Sequence, residues 1–450
     1  MDAVDKVYSG DAWISVYGTG YVGLSLIAVY LRKGLKVIGV DVDEDKLEKI
    51  RNGAPHVVEE KIREAVKKGL DENRLKLESD GVKASRESLV KVVTVPVYLD
   101  WITKEVDYTA WESALRNIGR GLKRGDLVII ESSVPPGSTE KRARPVLEEA
   151  SGLKAGRDFY LAYSPERVYV GRAVEDIEER YPKIVSGIDS KSLELVVKFY
   201  EGIARRGVLR VSNTTTAEFE KLAEGIYRDV NIALANELAL AAMKLGVDFY
   251  EAREAANTQP YSHIHLPGPG VGGYCIPIYP YYMTQTLLRE KYVMKLTATA
   301  RMINEEMPHV VADLVEIHRR KTGVSLRDKL AILGVAFRGN IDDTRLSPSH
   351  DVLGLLKARG YNNIVAHDPY VKRDPILDNL NIPLTSNLQE ALENSRIILV
   401  LTRHKQYSEL TTSKIIQLTG RENPLIIDTT SLIQNDINYK NQITLGKPQP

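Results

Sequence analysis

The sequence predicts an α/β protein in which two doubly wound parallel domains are joined by a long central helix. Three observations predict it. Short β-rich runs alternate with helical ones through residues 1–211, a proline-free stretch rich in Ala, Leu, Glu and Lys fills 215–245, and the alternation resumes at residue 330. Strands alternating with helices build a parallel sheet covered on both faces.

The elements follow in order. Residues 12–17 form a β-rich run, then come a glycine-rich turn and an apolar helix over 21–31. Residues 36–40 form a second strand ending at Asp41, and 92–95, 127–130 and 159–162 repeat the pattern with helical segments between. The pattern changes near Ser212. Over 215–245 only Gly225 interrupts the helix formers, with Gly246 just after, which predicts a helix about 45 Å long. A loop dense in Gly and Pro spans 259–280, and a second helical region spans 296–321. Residues 330–333 open the second alternation, whose further strands are 363–366, 397–401 and 425–427. These breaks divide the chain at 1–211, 212–322 and 323–435, and the polar residues 436–450 read as a loose tail.

Composition narrows the function. Apolar residues make up 43% and charged residues 27%, and 61 Lys+Arg against 60 Asp+Glu leave a net charge of +1. That balance argues against a nucleic-acid or membrane-surface role driven by bulk charge. A single cysteine excludes an internal disulfide framework and a Cys-based zinc site. No apolar run reaches the roughly 18 residues of a transmembrane helix, and the start lacks the basic and apolar regions of a secretory signal. A cytoplasmic protein is expected, with no metal, no nucleic-acid partner and no membrane association.

The first chemical signal is Gly18-Thr-Gly20-Tyr21-Val22-Gly23, with a strand before it, a helix after it, and a second strand ending in Asp41, 18 residues beyond Gly23. Two glycines let the backbone turn and approach a pyrophosphate, and the third permits close helix–strand packing. The helix N-terminus faces the phosphates. Asp41 is placed to accept hydrogen bonds from the adenosine ribose, which favours NAD over NADP. The fold expectation is thus two Rossmann-like domains, the first holding NAD.

The second signal is Cys275, within Gly268-Pro-Gly-Val-Gly-Gly-Tyr-Cys-Ile-Pro277. Four glycines in so short a segment suggest a loop wrapped closely around a ligand. A thiol beside an NAD site can add to an aldehyde as a thiohemiacetal. Oxidation then gives a thioester, which water hydrolyses to an acid.

With these residues the sequence resembles the UDP-glucose/GDP-mannose dehydrogenases, which oxidise the C6 alcohol of a nucleotide sugar to a carboxylate with NAD. Further motifs carry the resemblance almost to residue 430: Glu131-Ser-Ser-Val-Pro-Pro-Gly137, Lys221-Leu-Ala-Glu, Arg228-Asp-Val-Asn-Ile-Ala-Leu-Ala-Asn-Glu-Leu238, Gly334-Val-Ala-Phe-Arg338, Asp343-Thr-Arg345 and Ser347-Pro348. Ser164-Pro-Glu-Arg-Val168 with Gly171 is similar to the branch that oxidises UDP-N-acetylhexosamines, especially UDP-N-acetylmannosamine. The UDP-glucose branch usually has Asn-Pro-Glu-Phe there.

The resemblance implies roles. Cys275 is the nucleophile, Lys221 the cation that stabilises the oxyanion, and Glu166 the acid associated with thioester hydrolysis. Ser133 stands where a Thr hydroxyl usually lies near the cofactor and an active-site water. Tyr21, Val22, Lys46, Pro96 and Arg345 join the cofactor contacts. Arg167, Val168, Gly270, Gly272 and Arg338 join Glu166 and Lys221 at the substrate. The resemblance also implies an NAD-binding domain at 1–211, a central helical domain at 212–322 that dimerises and carries the Cys loop, and a UDP-sugar domain at 323–435.

The pattern also breaks. Gly225 replaces the family's Asn four residues after the lysine, so a side chain is missing from the same helix face. Tyr279 replaces the Asp four residues after the cysteine, and a phenol with an ordinary pKa near 10 is a poor base at neutral pH. Tyr274 replaces a His, and Val95-Pro-Val-Tyr98 replaces Val-Pro-Thr-Pro. Tyr274, Tyr279, Tyr281 and Tyr282 fit either an aromatic wall for a different sugar or a remodelled site. The expected activity is oxidation of a UDP-N-acetylhexosamine, foremost UDP-N-acetyl-D-mannosamine, to its uronate. UDP-glucose oxidation, a two-electron oxidation that stops at the aldehyde or ketone, and NAD/UDP-sugar binding without turnover stand as alternatives.

Overall fold

A computed structural model describes residues 1–449 apart from 56, 58, 435, 437 and 438. The chain divides into two compact units, Met1–Glu224 with Tyr281–Lys291, and Gly225–Pro280 with Tyr292–Pro450.

The first unit is built on ten strands: β1 (Trp13–Tyr17), β2 (Lys36–Val40), β3 (Leu75–Glu78), β4 (Ser88–Val93), β5 (Tyr98–Leu99), β6 (Val106–Asp107), β7 (Leu127–Ile130), β8 (Tyr160–Tyr163), β9 (Lys183–Gly187) and β10 (Val208–Arg210). Eight of them form one sheet in the order β10-β9-β8-β7-β4-β1-β2-β3. Its pairs are parallel except β8 with β9, which run antiparallel with Ala162 opposite Gly187 and Tyr163 opposite Ser186. β5 and β6 make a separate hairpin. The inner strands are apolar and buried on both faces, as helices on both sides require. The order reverses between β1 and β4, the position where doubly wound sheets open a crevice at the carboxyl ends of their strands.

The second unit holds β11 (Leu330–Leu333), β12 (Ile364–His367), β13 (Leu384–Thr385), β14 (Ile397–Val400), β15 (Leu425–Asp428) and β16 (Gln442–Thr444). They form an all-parallel sheet in the order β13-β12-β11-β14-β15-β16. The long helix is Thr214–Leu245, and a second one spans Lys295–Thr322, with the buried Pro308 inside it.

Several expectations shift. The strand expected at 92–95 is Ser88–Val93, so Thr94 and Val95 leave the sheet. The one expected at 159–162 is Tyr160–Tyr163. β3, β9 and β10 lie at or near sheet edges and were not anticipated. The expected loop over 259–280 ends early, because a helix starts at Tyr279. Residues 436–450, apart from 437, 438 and 450 outside the described residues, do not form a loose tail: β16 completes the sheet there, with Ile443 and Leu445 buried. The Gly446 carbonyl accepts from Phe249 N at 2.8 Å.

Candidate active site

The cofactor turn follows β1. Gly18 takes φ +95°, and its N–H donates to Val40 O at 2.7 Å. A Cβ on Gly23 would stand 1.8 Å from Gly18 O, so only glycine closes this turn. Gly20 caps the Tyr21–Arg32 helix with no side-chain bond, and a Cβ there would meet open space. The first-turn N–H groups, including those of Tyr21 and Val22, are left for an anion. These features fit a dinucleotide pyrophosphate.

Asp41 is already engaged with the turn. Its Oδ2 accepts from Thr19 N and Thr19 Oγ1 at 2.8 Å and from Lys46 Nζ at 2.9 Å. Burial would raise its pKa, but Lys46 and the Thr19 donors hold it below the ordinary carboxylate value. The Tyr21 hydroxyl donates to Glu59 at 2.9 Å and accepts from Gly171 N at 2.6 Å. Thr94, which the sequence did not point out, donates its hydroxyl to Tyr17 O and Gly18 O at 2.9 and 3.0 Å. It moors the segment that carries the exposed Pro96. Tyr282 OH donates to Val97 O at 2.6 Å.

Ser133 lies beyond the carboxyl end of β7, half-buried, while Ser132 Oγ donates to Val95 O at 2.7 Å. Glu218 of the long helix fixes the turn that follows. It accepts from Gly137 N, and from Thr139 N and Oγ1 at 2.7 and 2.6 Å. Burial lifts its carboxyl to about 7.

Beyond β8 sits Glu166. Its Oε1 accepts from Arg167 N at 2.7 Å and its Oε2 from Lys183 Nζ at 2.6 Å. Lys221 Nζ donates to the Glu166 carbonyl oxygen. Lys183 also reaches Glu131 Oε2 at 2.8 Å, and Tyr200 OH donates to the other oxygen of Glu131. Burial pushes Glu131 up to about 7. Burial would depress Lys183, but the two carboxylates hold it above the ordinary lysine value. Arg167 spans to Glu224 at 3.1 Å and to Pro182 O at 2.6 Å, and Val168 packs against the sheet's core. Glu166, Arg167 and Lys221 are thus brought together, with Glu131 and Lys183 added. A lysine opening a strand gives no sequence sign of burial.

Cys275, Gly270, Gly272, Arg338 and Arg345 belong to the second unit. Cys275 is exposed, and its carbonyl accepts from Ile278 N and Tyr279 N at 3.1 and 3.0 Å. The glycines are needed for close approach. A Cβ on Gly272 would meet Leu346 O at 2.6 Å, and one on Gly270 would meet Pro348 at 3.1 Å. Gly273 N donates to Arg345 O at 3.0 Å. Arg345 grips Asp343 with Nε and Nη2 at 2.9 and 2.6 Å and stands 5.5 Å from the Tyr274 ring centroid. Arg338 is half-buried just after the β11 turn at Gly334, which repeats the φ of +95° seen at Gly18.

The long helix moors the glycine loop from below. Asn236 Oδ1 accepts from Gly268 N at 2.9 Å, and its amide donates to Asn304 at 3.0 Å. Asn304 and Arg301 both donate to Asp229, at 2.8 and 2.7 Å. Burial pushes Asp229 up to about 6 in spite of Arg301. The two departures on this side are one feature. A Cβ on Gly225 would lie 2.4 Å from Tyr279 Cδ2, so the buried ring fills the space where a side chain at 225 would start.

Among the described residues no group of three His, Cys, Asp or Glu is arranged to hold a metal, and no helix is long and apolar enough to cross a membrane.

Comparison with known proteins finds relatives along nearly the whole chain. Residues 12–204, 215–306 and 331–435 match the NAD binding, central and UDP binding domains of the UDP-glucose/GDP-mannose dehydrogenase family. A UDP-N-acetyl-D-mannosamine dehydrogenase of Pyrococcus horikoshii is 36% identical over 422 residues, 94% of this chain and 96% of that one. An NDP-N-acetyl-D-galactosaminuronic acid dehydrogenase of Ralstonia nicotianae is 32% identical, covering 93% of this chain and 96% of its own. The solved structure of the Pyrococcus horikoshii UDP-D-ManNAc dehydrogenase superposes with a TM-score of 0.87 at 34% identity, covering 96% of this chain and 99% of that one.

Proposed function

The chain belongs to the UDP-glucose/GDP-mannose dehydrogenase family and is an NAD-dependent nucleotide-sugar dehydrogenase; from that premise we propose that it oxidises the C6 hydroxyl of a UDP-N-acetylhexosamine, foremost UDP-N-acetyl-D-mannosamine, to the carboxylate. One observation carries the reading: beyond the carboxyl end of β8, Lys221 Nζ donates to the main-chain carbonyl of Glu166, the residue whose carboxylate Lys183 holds. The Ser164–Val168 motif and the names of its relatives support the acetylated sugar.

NAD supplies the two-electron acceptor for each oxidation. The Gly18–Gly23 backbone would hold its pyrophosphate and Asp41 its ribose hydroxyls, with Arg345 adding charge as the family resemblance implies. Lys221 faces the C6 oxygen, where negative charge develops. Glu166, through a bound water, takes the hydroxyl proton and passes it to solvent while the Lys221 ammonium holds the developing oxyanion, in place of the aspartate whose position Tyr279 takes. At the aldehyde stage Sγ of Cys275 bonds to C6, and the thiol proton ends on the former carbonyl oxygen. The second oxidation takes the C6 hydrogen as hydride, the proton on the neighbouring oxygen leaves through a bound water to solvent, and a thioester remains. Water then adds: its oxygen bonds to C6, a proton passes to Glu166, and the C6–S bond breaks with its electron pair on Sγ, which recovers that proton. Arg167, Val168 and Arg338, with the backbone at Gly270 and Gly272, hold the sugar nucleotide.

The enzyme acts in the cytoplasm as a homodimer. Tyr227, Leu234, Leu238 and Leu245 are exposed on the long helix. At 100° per residue they fall in one narrow stripe, which suits a two-fold contact with a second copy. Light scattering that gives a monomer at working concentration would remove this part of the reading.

A second reading has its own support. The Tyr279 ring beside Gly225 replaces two polar groups of the family site, which favours a protein that oxidises only to the aldehyde or ketone, or binds without turnover. The deciding measurement is NADH formed per UDP-N-acetylmannosamine consumed, with UDP-N-acetylglucosamine and UDP-glucose in parallel, on wild type and Cys275→Ser. Two NADH per sugar, lost in the variant, is the expected result. One NADH indicates the two-electron reaction, and NAD binding with no NADH from any sugar refutes catalysis.

A further inference from the structure

The steps above use Glu166 but leave Lys183 and Glu131, the other two charges of its buried cluster, without a role. Lys183 opens β9, which runs antiparallel to β8 with Tyr163 opposite Ser186. Carrying that register three residues past the ladder sets Lys183 opposite Glu166. Glu131 follows β7, the parallel neighbour of β8, and so arrives from the other side. Topology alone therefore delivers two carboxylates and one ammonium to the same place. Lys183 Nζ stands 2.6 Å from Glu166 Oε2 and 2.8 Å from Glu131 Oε2, and all three side chains are buried. Tyr200 donates to Glu131, and the Tyr30 hydroxyl lies 3.3 Å from that of Tyr200.

A buried ion cluster is weak evidence of a stabilising role, because desolvation offsets most of the attraction. Its geometry is more informative. Glu166 has three rotatable side-chain bonds, yet both its oxygens are held, one by Lys183 and one by Arg167 N. Lys183 is held in turn by Glu131. Without the ammonium, two buried carboxylates would be neighbours, and they would swing apart or share a proton.

We propose that Lys183, steadied by Glu131, is the positioning residue that aims the Glu166 carboxylate at the water that hydrolyses the Cys275 thioester. This rests on the reading of Glu166 given above. Lys183 takes no part in bond making. The water oxygen still bonds to C6, its proton goes to Glu166, and the C6–S electron pair returns to Sγ.

The test separates oxidation from hydrolysis in the full-length protein with NAD and the UDP-sugar it turns over. Lys183→Met should lower the steady-state rate roughly 10- to 100-fold, lower the first burst of NADH by clearly less, and accumulate an acyl adduct on Cys275 seen by intact mass. Lys183→Arg, which keeps the cation, should restore steady-state turnover to within about 5-fold. If Lys183→Met folds poorly, Glu131→Gln with Lys183→Met removes the stranded charge and should still accumulate the adduct. Normal hydrolysis in either folded variant overturns the proposal, as does an equal fall in burst and steady state. Glu166→Gln is measured alongside. If it turns over like wild type, the reading of Glu166 falls and this proposal with it. If it stalls while Lys183→Met does not, only the role of Lys183 falls.

Discussion

Replacing Gly225 with alanine drives a methyl group into the Tyr279 ring. The added Cβ would lie 2.4 Å from Cδ2, 3.2 Å from Cε2 and 3.3 Å from Cγ. Favourable carbon contacts begin near 3.5 Å, so the overlap with Cδ2 is about 1 Å. The ring is 5% exposed and cannot turn freely into solvent. Overpacking of this kind costs about 1–3 kcal/mol. Alanine in a helix interior returns about 1 kcal/mol relative to glycine. The net expectation is a loss of about 0–2 kcal/mol in the wild-type background. With Tyr279→Ala the obstacle is gone, and the same change should stabilise by about 1 kcal/mol. The coupling energy is then about 1–3 kcal/mol. Chemical denaturation of the four proteins, following the transition of the second unit, measures it. Equal losses in both backgrounds would show that the ring is not the obstacle. The functional counterpart is direct: Gly225→Asn should be tolerated only together with Tyr279→Asp.

Two further outcomes follow from packing and charge. Gly23→Ala should weaken NAD binding by roughly 100-fold or more by calorimetry, since the methyl group would collide with Gly18 O, and Gly20→Ala should weaken it as well, because its methyl group would stand between the backbone and the pyrophosphate. Glu218 has its carboxyl raised from 4.5 to about 7 by burial, so the stability given by its protonated form is complete below about pH 4.5 and is lost as pH rises through about 7. That loss is roughly 3 kcal/mol. Glu218→Gln should flatten the decline, and an unchanged slope in melting temperature between pH 5 and 7 would refute the assignment.

What the sequence made legible was the part that local chemistry dictates. The glycine turn, Asp41 and the β1, β2, β7 and β11 runs could be read because apolar strands and positive-φ glycines carry their reasons in their own residues. β16 could not. Gln-Ile-Thr is short and largely polar, and its burial comes from β15 beside it rather than from composition. Glu131, Lys183, Glu218 and Asp229 were hidden for a related reason. Charged residues normally read as solvated, and only the fold removes the water from them. The Gly225–Tyr279 pair was visible as two separate departures, but their 54-residue separation concealed that they occupy one space.

The first unit claims Tyr281–Lys291 from the middle of the second, so the chain enters it twice. That detour has a consequence for descent. A single recombination event near residue 224 would deliver a first unit without the segment whose Tyr282 holds Val97 O, and a second unit carrying residues 281–291 that group with the first. Neither half can be traded whole between lineages at one breakpoint. A change confined to one space, such as the glycine and tyrosine at positions 225 and 279, lies wholly within the second unit and needs no such exchange.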